Sequence, residues 1–323
     1  MHLHQNLIHK TNKKMQTTPI STQIAQQDFI VAEIEALIEQ GGPQPHQYAY
    51  ADYLFEEIGK KLKAEELPAE VGSNLLKQCS FLQNSDSIMG HIRNKPYGYA
   101  GDFMIIERIY LNKAQPSTSH YYWDQYSLEH VAAKAVRNRK DYFKNVMTYR
   151  IEQAATPLRL LDVASGPARD LKELFEIIQP ESMEVTCVEM DNRAIAHATN
   201  INASHSGDIK FINQNIFKFR TEERFNIVWS AGLFDYFCDR SFVVVLKKLI
   251  EFATEDGEII IGNFSDENPS RIYMEMVGDW ILNHRSAQHL TELAIAAGAH
   301  PQQITVGREP EGINLFLHIK KGK

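Results

Sequence analysis

The sequence predicts an α/β protein in which an all-helical N-terminal region precedes a mostly parallel, seven-stranded sheet. Apolar residues recur at helical spacing through about the first 150 residues, and short β-rich runs alternate with helical stretches after Thr156-Pro157. The last two β-rich runs follow each other closely, which is typical of an antiparallel hairpin. We therefore expect a disordered tail over 1–27, a helical domain or lid over 28–150, and an α/β domain over 151–323.

The N-terminal region justifies the helical part of this prediction. Residues 1–27 contain basic and histidine side chains but no acidic residue, and they show little apolar periodicity, which favours a disordered tail. From Asp28 apolar residues repeat at helical spacing until Gly41-Gly42-Pro43 ends the pattern. Further amphipathic helices are expected over 48–62, 71–82, 103–111 and 128–147.

The strands of the C-terminal region are short and rich in β-branched and apolar residues. Helical stretches separate the first five of them, so they should form parallel βαβ units with right-handed crossovers. The last two flank a short polar turn and should pair as the antiparallel hairpin that closes the sheet. The expected strands are 158–163, 185–189, 209–212, 225–230, 258–262, 303–307 and 313–319.

Composition excludes several classes of protein. The formal charge of -7 and the pI near 6.0 give no basic face for nucleic acid. Three cysteines lie far apart, without the paired spacing of a zinc site or a disulfide framework, so no metal is expected. No apolar run approaches the roughly 20 residues of a membrane span, and no signal peptide is visible. We expect a cytoplasmic protein with a small-molecule partner; a homo-oligomer stays open.

The turn after the first strand carries the principal ligand-binding motif. It reads Asp162-Val163-Ala164-Ser165-Gly166-Pro167-Ala168, and its small residues let the backbone approach a ligand closely. A dinucleotide turn would need a third glycine where Arg169 stands. The string resembles motif I of class I S-adenosylmethionine-dependent methyltransferases, with Ala164 and Ala168 replacing the outer glycines. This resemblance implies a Rossmann-like methyltransferase fold and S-adenosylmethionine as cofactor.

The ends of the next strands agree with this interpretation. Glu189 follows the glycine turn by about twenty residues, where an acidic side chain binds the ribose hydroxyls, and Asp191 is the second choice. Ligands in open α/β sheets bind at such carboxyl ends. Asn215 is expected to accept a hydrogen bond from the adenine amino group. The remaining cofactor contacts expected there are Asp162, Ala164, Gly166 and Ala168 at the turn, Ile216 after the third strand, and Ser230, Ala231 and Gly232 after the fourth strand.

Several segments also resemble one bacterial methyltransferase family, which is linked to synthesis of 3-hydroxypalmitic acid methyl ester. The resemblance covers about Phe81 to the C-terminus, and the first eighty residues lie outside it. Ala168 and Asn215 depart from the usual cofactor motifs. The matching strings include Lys95-Pro96-Tyr97-Gly98-Tyr99-Ala100-Gly101-Asp102-Phe103, Ala135-Val136-Arg137-Asn138-Arg139-Lys140, Ser230-Ala231-Gly232-Leu233-Phe234-Asp235-Tyr236, Ile261-Gly262-Asn263-Phe264 and Gly312-Ile313-Asn314-Leu315-Phe316.

The acceptor is expected to be an oxygen. The string after the fourth strand is Ser-Ala-Gly-Leu and lacks the Asn/Asp-Pro-Pro-aromatic pattern of methyltransferases that act on planar nitrogens. A carboxylate needs no general base at neutral pH because it is already ionised. We therefore expect a methyl ester of a hydroxylated fatty acid or similar small acid. A hydroxyl, amine, peptide or natural-product acceptor, and a catalytically silent cofactor-binding subunit, stay open as alternatives.

Candidate site residues follow from these motifs. Asp235 and Tyr236 are the expected catalytic residues, because they follow the fourth strand. The turn bounded by Pro96, Gly98 and Gly101 should help cover the cofactor. Tyr99, Gly101 and Asp102 are its expected contacts with the cofactor. Arg137 is expected at the cofactor. The expected acceptor contacts are Arg139, Phe264, Tyr273, Trp280 and Arg285, several of them from an amphipathic cap over an apolar pocket.

Overall fold

The N-terminal region is helical. The structure, a computed structural model, describes residues 20–205 and 207–322. Residues 1–19 of the expected tail therefore lie outside the described residues. The first helix begins at Ile20, eight positions before the expected start at Asp28. The helices are α1 (Ile20–Glu39), α2 (Tyr48–Lys63), α3 (Ala69–Gln78), α4 (Ile88–Asn94), α5 (Phe103–Leu111), α6 (Tyr121–Glu129) and α7 (Val131–Gln153).

Gly41 and Gly42 end α1 as the sequence predicts. Both adopt the left-handed backbone conformation, with φ of 86° and 121°. Their backbone N–H groups donate to the carbonyls of Ile38 and Leu37, which completes the C-terminal cap. A side chain at Gly42 would also collide with the backbone of Trp123. The short helices α4 and α6 were not expected. α4 has only seven residues, and the apolar residues of α6 show little helical periodicity.

The C-terminal region forms the expected seven-stranded sheet, in the order β3-β2-β1-β4-β5-β7-β6. The first five strands pair in parallel, and β7 pairs antiparallel with both β5 and β6, so the expected fold is confirmed. The strands are β1 (Leu158–Val163), β2 (Met183–Glu189), β3 (Ile209–Asn213), β4 (Phe225–Ser230), β5 (Ala253–Phe264), β6 (Ile304–Arg308) and β7 (Asn314–Lys320).

Helices cover both faces of the sheet, because consecutive side chains of each strand point to opposite faces. On β1, Leu160 packs into the core that contains Phe143 of α7, while Leu161 packs into the core on the other face. The remaining helices are α8 (Arg169–Phe175), α9 (Asn192–Ile201), α10 (Asp239–Phe252), α11 (Arg271–Met276) and α12 (Ala287–Ala296).

A third core joins the N-terminal helices to the segment after β5. Side chains of α1 to α7 pack in one cluster with Phe264, Tyr273, Trp280 and Ile313. Because Phe264 ends β5, this cluster lies at the carboxyl edge of the sheet, where the site expected from the sequence would be. The helical region thus forms a layer against that edge.

Candidate active site

The turn after β1 has an unusual backbone. Ala164, Gly166 and Ala168 all have positive φ, at 56°, 55° and 50°. Left-handed backbone costs an alanine about 1–2 kcal/mol, whereas glycine adopts it freely. A Cβ placed on Gly166 would have no atom within 4 Å, so this part of the turn faces open space. The turn therefore presents its backbone to a cleft, as a ligand-binding turn requires.

Glu189 ties the end of β2 to this turn. Its Oε2 accepts the backbone N–H of Gly166 at 3.0 Å, and its Oε1 accepts the N–H groups of Met190 and Asp191 at 2.7 and 2.9 Å. Burial raises the pKa of Glu189, and these three hydrogen bonds oppose the rise. The carboxylate is thus fixed beside the turn, where the sequence placed a ribose-binding group.

The other polar residues expected at the strand ends are partly engaged within the protein. Asp191 caps α9 by accepting the N–H of Arg193 at 2.9 Å, and it also pairs with the guanidinium of Arg193. The Oδ1 atom of Asn215 accepts the N–H of Phe217 at 2.9 Å. Both side chains therefore stabilise local backbone, and Glu189 is the better placed of the two acidic candidates.

Sequence reasoning missed two apolar side chains at this edge. Met190 is 63% exposed and Phe217 is 42% exposed, which is unusual for such large apolar groups at strand ends. The Sδ atom of Met190 lies 3.7 Å from the Asn215 amide nitrogen. An apolar residue directly after the ribose-binding position was the available signal. Met190 offers apolar surface to a flat ring, whereas Phe217 packs edge-on against Phe237.

Two buried charged side chains at the turn carry polar atoms without a partner. Oδ2 of Asp162 and Nε of Arg139 are buried and make no hydrogen bond within the protein. Burial raises the pKa of Asp162 well above its ordinary value, and the nearby Asp170 and Glu189 carboxylates raise it further. An unpartnered carboxyl oxygen at the end of β1 and an unpartnered guanidinium nitrogen near the end of β4 fit a ligand with both an ammonium and a carboxylate.

The two arginines of α7 have different surroundings. Arg139 is buried at 5% exposure, and its terminal nitrogens make only long hydrogen bonds, 3.3 Å to the Ala231 carbonyl and 3.4 Å to the Tyr110 hydroxyl. Arg137, expected at the cofactor, instead donates to the Leu128 carbonyl at 2.8 Å. The structure therefore brings Arg139, which we expected at the acceptor, to the end of β4, where Ser230, Ala231 and Gly232 also lie.

The glycine-rich loop between α4 and α5 lies against the site. Arg193 donates to the Tyr97 carbonyl at 2.8 Å and stacks its guanidinium 4.9 Å from the centre of the Tyr97 ring. Burial raises the pKa of Tyr99, and the nearby charge of Glu189 adds to the rise. The loop is thus held against the start of α9, next to the end of β2.

Asp102 acts within that loop. Its carboxylate is fully buried, caps α5 by accepting the N–H groups of Met104 and Ile105, and lies 2.8 Å from Nε2 of His91. We expected Asp102 to contact the cofactor. The geometry does not support this contact, because protein groups already occupy the carboxylate. The residue positions the loop instead.

Asp235 and Tyr236 lie with Phe234 in a short 3-10 helix after β4. Oδ1 of Asp235 accepts the N–H of Phe264 at 2.7 Å, and burial raises the pKa of Asp235 to about 7. The Tyr236 hydroxyl accepts the indole N–H of Trp280 at 2.9 Å, while its side chain is 40% exposed. A Cβ on Gly101 would collide with this hydroxyl, so the loop needs glycine there.

Arg285 is more deeply buried than we would expect for a residue that binds the acceptor. It is 2% exposed, and all three guanidinium nitrogens donate within the protein, to groups that include Asn263 and Asp239. The expected acceptor contact is therefore not supported. Arg285 instead holds the segment after β4 in place, since it also donates to the carbonyls of Phe234 and Phe237.

An apolar cavity lies behind Trp280. Trp280, Phe264 and Tyr273, three of the expected acceptor contacts, line it together with side chains of α4, α5 and α7. The other residues that line this cavity are Ile88, Met89, Ile92, Ile109, Ser127, His130, Ala132, Ala133, Val136, Ser270 and Met274.

Ile216, which we expected at the cofactor, is instead buried in the core on one face of the sheet.

Two further features bear on the class of protein. Within residues 20–205 and 207–322, no group of three or more histidine, cysteine, aspartate and glutamate side chains is arranged to hold a metal ion. Among the helices of this same part of the chain, none combines the length and apolar character needed to cross a bilayer.

Comparison with known proteins identifies a similar domain family and similar folds. Residues 156–302 match the profile of a methyltransferase domain family. A structure of a protein from Bordetella parapertussis, described as a possible exported protein, shares 14% identity and covers 95% of this chain and 100% of its own, with a TM-score of 0.62. Magnesium protoporphyrin IX methyltransferase from Synechocystis, solved with bound S-adenosylhomocysteine, shares 10% identity over 73% of this chain and 100% of its own, with a TM-score of 0.50.

Curated protein sequences give no significant match to this chain. The first of the two structures extends over nearly the whole chain, so the fold shared with it includes the N-terminal helices. The family profile covers β1 to β5 and the turn that follows β1. The expected enzyme class is confirmed: the C-terminal part of this chain is a methyltransferase domain on a seven-stranded, mostly parallel sheet.

Proposed function

We propose that the chain transfers the methyl group of S-adenosylmethionine to the carboxylate of a small, apolar acid and so forms a methyl ester. The observation that carries the acceptor part of this proposal is the apolar cavity behind Trp280. Its walls are hydrocarbon and aromatic, and it adjoins the end of β4 through the Trp280 to Tyr236 hydrogen bond. Its free volume is only about 30 Å³, so an acyl chain would enter by displacing side chains of this wall. The resemblance to the family linked to 3-hydroxypalmitic acid methyl ester supports the same acceptor class.

The residues around the β1 turn fit the cofactor. Glu189 would accept hydrogen bonds from the ribose hydroxyls, and Met190 would contact one face of the adenine. The unsatisfied atoms of Arg139 and Asp162 would bind the carboxylate and the ammonium of the methionine part. When bound, S-adenosylmethionine supplies an electrophilic methyl group on a sulfonium.

The remaining residues of the edge would align the acceptor and exclude water. Trp280 and Phe264 close the apolar side, and the Tyr97 to Asp102 loop covers the cofactor side. A carboxylate is ionised at neutral pH, so no side chain has to remove a proton from it. Orientation and exclusion of water would then account for most of the rate enhancement.

The test is incubation of the protein with S-adenosylmethionine and a panel of acids, alcohols and amines of matched chain length, followed by mass spectrometry. We expect a gain of one methyl group on acids, as base-labile esters. Exclusive N-methyl products would contradict the proposal. Tight cofactor binding without turnover on any acceptor would indicate the silent partner subunit that the sequence left open.

A hydroxyl acceptor is the second candidate, and the buried Asp235 favours it. Oδ1 of Asp235 is occupied by Phe264, and the pKa of the carboxyl lies near 7, which suits a general base. Replacing Asp235 by asparagine keeps the hydrogen bond to Phe264 but removes the base. Ester formation should then persist, whereas methylation of a hydroxyl should fall by roughly 100-fold or more.

Location and partners are also proposals. The net charge of -7 supports a small-molecule acceptor over nucleic acid, and we keep the cytoplasm as the expected location. Fractionation of cells that express the tagged protein would test the location. Light scattering of the purified protein would test for a homo-oligomer.

A further inference from the structure

A second cavity lies between α2, the junction of α6 and α7, and the start of α11. Its free volume is about 140 Å³, close to that of a roughly 150 Å³ protein cavity that binds benzene, so it has room for about six non-hydrogen atoms. The lining residues are Tyr48, Asp52, Phe55, Glu56, Tyr126, Glu129, His130, Val131, Pro269, Ser270, Ile272 and Tyr273.

Aromatic side chains form the inner wall of this second cavity. Phe55, Tyr126 and Tyr273 are buried, and the centroids of their rings lie 5.1 to 6.4 Å from one another. The face of an aromatic ring carries partial negative charge and attracts organic cations. The wall therefore suits a ligand that combines hydrocarbon with a positive charge.

Three acidic side chains line the same cavity. Glu56 forms an ion pair with Lys60 at 2.8 Å, and Glu129 forms one with Lys134 at 3.0 Å. For the Asp52 carboxylate, by contrast, the described part of the chain has no lysine or arginine nitrogen within 4 Å. One negative charge at the cavity is therefore left without a cationic partner.

His130 gives a second indication of a ligand. Its side chain is 9% exposed, and its buried Nε2 atom has no hydrogen-bond partner among the described residues. Oδ1 of Asp52 lies 3.8 Å from Nε2, which is too far for a hydrogen bond. Because Asp52 lines the second cavity and not the apolar one, Nε2 lies on the side of the second cavity. A buried polar atom of this kind indicates a missing partner.

The two facing atoms of Asp52 and His130 can share one donor group. Acceptors 3.8 Å apart can both lie about 2.8 Å from a single ammonium nitrogen, an ordinary length for a charge-assisted hydrogen bond. Burial lowers the pKa of His130 to about 4, so its ring is neutral at pH 7. Nε2 of a neutral ring accepts a hydrogen bond when the ring proton is on Nδ1.

We propose that the second cavity binds a small primary alkylammonium ion. The ammonium nitrogen donates to Asp52 and to Nε2 of His130, and the hydrocarbon tail packs against the aromatic wall. The single carboxylate without a cationic partner matches the single charge of a monoamine. This site goes beyond the proposed function and does not depend on it, because neither the β1 turn nor the end of β4 lines the cavity.

The test is titration of the protein with n-butylammonium at pH 7, without any methyl donor or acceptor. Calorimetry measures the affinity, and NMR of protein with ¹⁵N-labelled histidine locates the site. The Nε2 resonance of His130, identified by its absence in His130→Phe, should shift saturably. n-Butanol has a similar size but no charge, and it should bind at least about 10-fold more weakly. No saturable binding of the amine would overturn the proposal, as would equal binding of the amine and the alcohol.

Two matched variants test the assigned carboxylate. Asp52→Asn keeps an acceptor for the Tyr126 hydroxyl but removes the charge, so it should weaken n-butylammonium binding about 5- to 10-fold. Glu57→Gln, at an acidic residue of the same helix that does not line the cavity, should bind as the wild type does. Equal affinities of these two variants would overturn the proposal. Asp52 is exposed, so this comparison remains decisive even if His130→Phe does not fold.

The outcome for this site is separate from the outcome for the proposed function. Saturable binding of n-butylammonium that depends on Asp52 would establish the site even if no acid is esterified. Formation of methyl esters by a protein that does not bind the amine would leave the proposed function standing and remove the site.

Discussion

Glu189 at the end of β2 accepts the backbone N–H of Gly166, across a separation of 23 residues, at 3.0 Å. This bond places an acidic side chain of one strand against the turn of its neighbour. A ligand that lies on the turn therefore meets the Glu189 carboxylate directly. The first prediction tests this relationship.

Replacing Glu189 by glutamine should weaken cofactor binding by roughly 10- to 100-fold. The amide presents one acceptor and one donor where the carboxylate presents two acceptors, and loss of a hydrogen bond to a charged group costs about 1.5–3 kcal/mol. Calorimetric titration with S-adenosylhomocysteine measures the change. Glu184→Gln, on the same strand but exposed, is the matched control and should bind as the wild type does. Equal affinities for the two variants would contradict the assignment.

The same titration should distinguish the role of Arg139 from that of Arg137. Arg139→Met removes a buried cation whose Nε has no partner in the protein, and we expect cofactor affinity to fall at least about 10-fold. Arg137→Met should change the affinity by less than about twofold, because its guanidinium donates to Leu128. A larger loss in the Arg137 variant would restore the assignment expected from the sequence.

Substituting glycine for Ala164 should stabilise the protein by up to about 1 kcal/mol. Glycine removes the cost of a left-handed alanine, although the greater freedom of the unfolded chain offsets part of the gain. Urea unfolding measures the free energy of unfolding. Ala196→Gly, at an exposed position in the middle of α9, should destabilise by about 1 kcal/mol and serves as the reference. Destabilisation by Ala164→Gly would show that the turn is not strained.

Asp235 should make stability depend on pH. Its pKa is raised from 3.8 to about 7, so the folded state binds a proton more tightly than the unfolded state does. The stability due to this proton is complete below pH 4 and is lost as the pH rises to 7, by at most about 4 kcal/mol. Between pH 4 and 8 the free energy of unfolding should therefore fall less steeply with pH for Asp235→Asn than for the wild type. Parallel curves would exclude the raised pKa.

The sequence predicted the sheet more accurately than the helical region. The ranges of β1 and β4 were predicted without error, because each is a buried apolar run between clear turn residues. The extension of β5 back to Ala253 was missed, since Glu255, Asp256 and Gly257 do not have the composition of a strand. The short helices α4 and α6 depend on tertiary packing rather than on local periodicity.

The candidate site was predictable where the strand order dictates position. Glu189 and Gly166 lie together because β1 and β2 are parallel neighbours, which the βαβ pattern implies. The roles of Asp102 and Arg285 were not predictable, because a motif does not reveal whether neighbouring backbone already occupies a polar side chain. Met190 was overlooked although its apolar type directly after Glu189 was a signal, because only the structure shows that the side chain is exposed.

The core shared by the N-terminal helices and the segment from Phe264 to Trp280 has a consequence for engineering. A fragment that began at β1 would expose the rings of Tyr273 and Trp280 to water, so it should aggregate rather than behave as an autonomous catalytic unit. The two regions should melt in a single cooperative transition. Grafting another helical layer onto this sheet would therefore require the segment after β5 to be exchanged with it.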